Sequence, residues 1–489
     1  MLNLLKEELN TTFTENGAVT CRTTGSYCLD LFSTIGAMRQ EDRNKIAERF
    51  IRAYAEDKDT AVRLLFFARD VRGGLGERKV FRILLKWLAI NEPLSVIKNL
   101  EYVSEFGRFD DLLVLIDTPC EKDMIRVIKK QLDEDIKAMA SGENISLLAK
   151  WLPSVNASNK DTVRNAKRIA KTLGMTCEEY RKVLTKLRAK ISIIENNLRK
   201  KDYSFDYSKQ PSRAMYKYRQ AFVRNDKERY VQYITKVSKG EAVLHADNVT
   251  PYELVEPFFM SMDIDNLTPD EKAFFNATWQ SLPDYGNDEN TLAVIDTSAS
   301  MYWGNAPIPG SVSLSLGLYF AEHNKGIFKN HFIEFSSRPQ LIEVKGDTFI
   351  DRLRYVLTFS EVADTNLEAV FDLILNTAVK HKVSQEELPS KLVVISDMEF
   401  NCCVKNASLS NFENAKKKYE EKGYKLPEVV FWNVNSRNTH QPVTMNEQGV
   451  ALVSGLTPKL FDMIAGGNLS PYKFMMDILG RERYKKIVA

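Results

Sequence analysis

The spacing of apolar residues changes character near residue 290. Before that point apolar positions recur every three or four residues, the period of a helix with one buried face. That period predicts helices over 42–55, 59–70, 77–90, 101–116 and 121–140, with Leu64, Leu65, Phe66 and Phe67 forming one buried stripe. The first ~280 residues therefore read as helical, with Gly, Pro and Asn as punctuation. Short helices in antiparallel pairs suggest a repeat array, although no exact sequence period runs through them.

Beyond residue 290, short unbroken apolar runs alternate with amphipathic stretches. Strands are predicted at 291–296, 330–335, 391–397 and 428–434, with a weaker one at 449–453. Helices are predicted at 311–324, 347–357, 366–380, 409–422, near 458–465 and at 470–479. This alternation implies a mostly parallel sheet covered on both faces. The polar, acidic stretch 279–291 marks a junction, giving an expected α-helical domain over 1–285 and an α/β domain over 286–489.

The chemistry concentrates where the first of these strands stops. The apolar run Leu292 to Ile295 ends on Asp296, and two hydroxyls follow at Ser298 and Ser300. Open α/β sheets bind ligands at the carboxyl ends of their strands. A carboxylate and two hydroxyls there form an all-oxygen pocket suited to Mg²⁺ or another divalent cation. On its own the spacing fits equally a strand-end turn in which Asp296 caps the next helix. A second apolar run, from Lys391, ends on Asp397, and Asp364-Thr365-Asn366 precedes a helical stretch. The order of these three pieces resembles the metal-ion-dependent adhesion site of von Willebrand factor A domains. The resemblance implies Ser298 and Ser300 as metal ligands, Thr365 as a third hydroxyl, and Asp296 and Asp397 holding waters and orienting the serines. It also implies one coordination position open to an acidic partner.

Composition adds limits. No apolar run reaches the ~18 residues of a membrane span, and the first residues lack the layout of a signal peptide, so a cytoplasmic protein is expected. The six cysteines form no C-x-x-C pair, which argues against a zinc site or a disulfide framework. Cys402 and Cys403 follow the strand ending at Asp397 and read as buried, inert thiols. Net charge is only +3, yet residues 151–250 hold 22 Lys and Arg against 10 Asp and Glu. Within that region Arg199, Lys200, Lys201, Arg213, Lys217, Arg219, Arg224 and Arg229 are interleaved with tyrosines and phenylalanines. Cations neutralise phosphates and aromatic faces stack on unpaired bases, a combination suited to single-stranded or irregular RNA. Equally open is a solvated helix face whose tyrosines pack the core.

The run Arg69-Asp-Val-Arg-Gly-Gly-Leu-Gly-Glu-Arg78 lies between two helices. It lacks the Gly-Lys-Ser/Thr ending of a phosphate loop, and Gly73 and Gly74 are expected to end a helix in a left-handed turn. The run resembles a turn of the TROVE module of Ro-type RNA-binding proteins. Taken whole, the chain resembles the Ro autoantigen family, in which HEAT-like helical repeats, closed into a ring, join a von Willebrand A domain. It is similar also to a Ro-like family classed as a domain of unknown function. There, motifs like those at 69–78, 296–301, 364–370 and 396–400 recur. The resemblance implies a non-enzymatic scaffold that binds small non-coding or misfolded RNA and holds a divalent cation. The alternative is a metal-dependent protein-interaction module without RNA binding. An Mg²⁺-dependent hydrolase is disfavoured: no Ser-His-Asp or Cys-His set is discernible, and none of His323, His331, His381 and His440 adjoins a motif.

Overall fold

In the computed structural model the described residues are 1, 5, 8–191, 193–286, 290–335, 337–359, 364–401, 409–465 and 469–489. Cys402 and Cys403 lie outside them. From Tyr27 to Gln280 the chain is mostly helical. Helices Arg43–Glu56 and Lys58–Arg69 start on aspartates, Asp42 and Asp57, whose side chains accept from backbone N–H groups of the first turn. Helices Lys79–Asn91, Glu121–Ala140, Lys160–Thr172 and Cys177–Lys190 follow.

Three expectations for this half are corrected. The helix expected at 101–116 is a four-residue helix, Val103–Phe106, between 3₁₀ turns Leu100–Tyr102 and Phe109–Leu115. It breaks at Gly107, where an added Cβ would lie 2.5 Å from Asp111 Oδ2 and 2.7 Å from Arg69 Nε. The N-terminus is not helical throughout: β1 (Thr11–Phe13) and β2 (Val19–Cys21) form an antiparallel hairpin, rich in residues that favour strands. Finally, the left-handed glycine of the 69–78 run is Gly76, at φ +66°, not Gly73 or Gly74. Gly74 is required instead by space, since a Cβ there would meet Phe67 O at 2.1 Å.

The 69–78 run turns out to be a clasp. Arg69, buried, meets buried Asp111 through Nε and Nη2, both at 2.8 Å. Arg82 takes the other Asp111 oxygen at 2.6 Å. Asp70, also buried, accepts from Arg483 Nη2 at 2.8 Å, Tyr484 Oη at 2.9 Å and the Arg72 N–H at 3.0 Å. These bonds tie the C-terminal helix Glu482–Lys485 to the helical half. Glu77 accepts from Arg39 and from the Lys79 N–H, starting helix Lys79–Asn91.

The C-terminal half is a six-stranded mixed sheet built from β3 (Thr291–Asp296), β4 (His331–Phe335), β5 (Gln340–Glu343), β6 (Lys391–Ser396), β7 (Glu428–Asn433) and β8 (Val450–Ser454). Its order is β5-β4-β3-β6-β7-β8, parallel except for β5. The sequence did not point to β5, a short edge strand with one buried residue in four. Fully buried strands alternate their side chains between two cores. Ala293, Ile295, Val393, Ile395 and Trp432 face a core continuous with the helical half. Leu292, Val294, Leu392, Val394 and Phe431 face a second core with helices Leu367–His381 and Asn411–Glu421. The ends of the chain cross over this division. Gly17 and Cys21 bridge to Asn401 and Gln441. Gly36 sits so close to the end of β8 that a Cβ would lie 2.4 Å from Ser454 O. Among the described residues, no helix is long and apolar enough to cross a membrane.

Candidate metal centre

Strand β3 runs to β4 on one side and pairs with β6 on the other. The gap between the carboxyl ends of β3 and β6 is thus the switch point of the sheet, where such folds open a crevice. Both predicted aspartates emerge there. Asp296 ends β3, fully buried, and its Oδ1 accepts from the Ser298 N–H at 2.8 Å. That local bond folds the chain back, so Ser298 opens a 3₁₀ turn, Ala299–Tyr302, and its hydroxyl lies 3.2 Å from that of Ser300. The Ser300 hydroxyl in turn favours the charged form of the Asp397 carboxylate. From β6, the Ser396 hydroxyl donates to Asp296 Oδ2 at 2.5 Å. The in-register pairing of β3 and β6, Ile295 opposite Ile395, makes this meeting a consequence of strand geometry.

Asp296, Ser298, Ser300 and Asp397 therefore form one connected group. Thr365 is buried, and its carbonyl accepts from the N–H of Asn401, which follows Asp397 in the chain, at 2.9 Å. Among the described residues, no hydrogen bond joins its hydroxyl to the serines or aspartates. Right after Asp397, Met398 holds a left-handed conformation, φ +69°. This is rare for a residue with a long side chain, and such outliers gather at functional sites.

The electrostatics of the pocket are strained. Burial, and after it the charge of Asp397, lifts the Asp296 carboxyl to about 7. Burial likewise raises Asp397, against the pull of a nearby guanidinium. Two carboxylates this close in a dry pocket call for a shared proton or a cation. Hydroxyls and carboxylate oxygens are hard donors that match Mg²⁺. Among the described residues, no set of three or more His, Cys, Asp or Glu side chains forms a metal cage. A cation here would accordingly rest on hydroxyls and waters, as this donor set permits.

Several residues of the site carried no signal in the sequence. Arg437 Nη2 donates to Asp397 Oδ2 at 2.8 Å, and its Nη1 lies 2.7 Å from Glu15 of the N-terminal hairpin turn. Glu399, buried, accepts from His440 Nε2 at 3.0 Å, Asn438 Nδ2 at 2.7 Å and the Glu15 N–H at 2.8 Å. His440 thus does adjoin a motif, the 396–400 run, which corrects the sequence expectation: loop 434–441 folds it back onto Glu399 from some 40 residues downstream. Bonding to His440 and Asn438, together with the Glu15 N–H, holds the Glu399 carboxyl below its usual range despite burial. Only spatial proximity reveals these partners, because they lie up to 384 residues apart.

The basic segment is arranged differently. Helices Ser212–Asn225 and Lys227–Ser238 enclose a ring cluster of Phe205, Tyr207, Phe222, Tyr230 and Tyr233. Of these, Tyr207, Phe222, Tyr230 and Tyr233 are buried. Three of the eight candidate cations are used internally. Arg219 stacks over Tyr216, 4.5 Å from its centroid, and lies against Phe274 and Phe275. Arg229 donates to the Tyr203 and Phe205 carbonyls and pairs with Asp226. Arg213 pairs with Glu253 at 2.5 Å. Arg199, Lys200, Lys201, Lys217 and Arg224 are exposed.

Residues 14–125 and 122–292 match the domain of unknown function DUF2828, and residues 290–471 match the domain of unknown function DUF7788. An uncharacterized protein of Acanthamoeba polyphaga mimivirus is 29% identical over 508 residues, spanning 96% of this chain and 87% of that protein. The crystal structure of the Deinococcus radiodurans Ro (RSR) protein aligns over 90% of this chain and 99% of its own, at 13% identity and a TM-score of 0.34. With residues 14–292 covered by a single domain profile, more than half of its length, the chain belongs to the DUF2828 family.

Proposed function

We propose that the protein is a non-enzymatic binding scaffold with a divalent-cation site at the switch point of its sheet. Ser298 and Ser300 would ligate the ion directly, and Asp296 and Asp397 would hold its waters and orient the hydroxyls. Thr365 would be the third hydroxyl, reaching the ion directly or through water. When bound, the cation supplies an under-neutralised positive charge that attracts an acidic side chain of a partner. The observation that carries this reading is the group Asp296, Ser298, Ser300 and Asp397 at one strand end, where two buried carboxyls share a single guanidinium, that of Arg437 on Asp397. Isothermal titration with Mg²⁺ and Mn²⁺ tests it. The wild type should bind, and the double variant Ser298→Ala, Ser300→Ala should lose binding while keeping its fold. Equal affinity in both would sink the metal site.

A second activity, RNA binding, is favoured by the exposed set Arg199, Lys200, Lys201, Lys217 and Arg224. The buried rings are spoken for by the core, so contact would be electrostatic rather than by base stacking. Such binding weakens steeply as salt rises. Filter binding of a single-stranded RNA across a salt series should show that decline; no affinity at low salt would leave the metal-dependent protein-interaction module as the remaining reading.

A further inference from the structure

We infer that Arg437 couples occupancy of the cation site to the N-terminal hairpin: a divalent ion at Asp397 displaces the guanidinium, which Glu15 then retains. The inference rests on the metal reading above.

The geometry is that of a built-in competitor. Asp397 already receives the Glu399 N–H on Oδ1 and Arg437 on Oδ2. An ion resting on Ser300 and on Asp397 through water would stand beside a fixed positive charge, and like charges a few ångströms apart in a buried pocket repel strongly. Arg437 cannot relieve this by losing its proton, since guanidinium stays charged. It can relieve it by moving. Its Nη1 already contacts Glu15, and its Nε is buried without a hydrogen-bond partner, so a second resting place exists.

Glu15 sits in the turn joining β1 to β2, and the same network grips that turn from other sides. Asn438 donates to Glu15 Oε1 at 2.9 Å and to Glu399 Oε1 at 2.7 Å, while Asn16 donates to Glu399 O at 2.6 Å. A guanidinium released from Asp397 and committed to Glu15 would tighten the hairpin against loop 434–441. Cation binding at the sheet rim would thereby be felt at the N-terminus of the chain.

The test combines Mn²⁺ titration with hydrogen exchange of the hairpin amides. Arg437→Gln should bind Mn²⁺ at least about tenfold more tightly than wild type, because the repelling charge is gone. Arg437→Lys, which keeps the charge, should stay near wild type. Mn²⁺ should slow exchange across residues 11–21 in wild type and leave it unchanged in Arg437→Gln. If wild type binds Mn²⁺ and Arg437→Gln binds no more tightly, or if exchange in the hairpin ignores the ion, the coupling is wrong. If neither protein binds Mn²⁺, the metal site itself fails and the coupling falls with it. Should circular dichroism show Arg437→Gln unfolded, Glu15→Gln decides. Removing the second anchor commits Arg437 to Asp397 and should weaken Mn²⁺ binding several-fold; unchanged or tighter binding overturns the proposal.

Discussion

The sheet rim and the basic helical segment both stand out in the sequence as dense in functional groups, yet they fold by opposite rules. At the rim the polar groups are turned inward and joined: Asp296, Ser298, Asp397 and Glu399 are all buried and hydrogen-bonded. In the segment 199–239 the apolar rings go inward, and most of the charge stays in solvent. Burying a polar group is costly unless it is fully bonded, and burying a ring is favourable by itself. A buried polar cluster therefore needs a use, whereas a buried aromatic cluster needs none. The contrast teaches that richness in tyrosine and arginine is weaker evidence of a binding surface than four oxygens forced together.

The hardest way to break this contrast is to truncate a ring of the basic segment. Phe222 is fully buried between Phe205, Tyr207 and Tyr230. Phe222→Ala should cost about 3–5 kcal/mol of stability, the usual loss for a large core ring, read by urea denaturation. A near-silent substitution would mean that the rings are free to meet a ligand after all.

That outcome bears on what the sequence could disclose. Asp296, Ser298, Ser300 and Asp397 were legible because strand period and register dictate where the ends of neighbouring strands fall. The helical half was legible as helices, but not in the faces they show, since on helices the period leaves two readings open for Phe222 or Arg219. Arg437, Glu15 and His440 were illegible for another reason: each meets the site through a loop, and loop paths follow no period. The clasp at 69–78 was visible as a motif, but its meaning lay in Asp111, Arg483 and Tyr484. Without those partners a buried Arg-Asp pair looks like a surface turn.

A pH series sharpens the contrast at intermediate size. Asp30, in the helix Tyr27–Phe32, is pushed up to about 6 by burial, against hydrogen bonds from Thr23 and Thr24. Asp206, exposed in the basic segment, is instead held below its usual range by bonds from Ser208. For Asp30 the folded state keeps its proton longer than the unfolded state. Its contribution is therefore present at low pH and is lost as pH rises from about 4 to 6, at up to ~1.4 kcal/mol per pH unit. Asp30→Asn should flatten unfolding free energy across that window. An unchanged slope would show that Asp30 is not held in a dry site.

The smallest expected effects belong to the exposed cations, and they decide whether the segment has any task beyond packing. Lys217 and Arg224 are exposed, while Arg219, on the same helix, is half-buried over three rings. Lys217→Ala and Arg224→Ala should change stability by no more than about 0.5 kcal/mol, as surface substitutions do. Arg219→Ala should cost measurably more, because it removes packing as well as charge. If the segment binds RNA, each exposed substitution should also lower the salt dependence of binding by about one phosphate contact, uniformly across sequences. Denaturation together with filter binding over a salt series reads both effects. Equal stability losses at Lys217 and Arg219 would erase the division between packed and solvated cations. A salt slope untouched by Lys217→Ala and Arg224→Ala would place any RNA contact away from this helix.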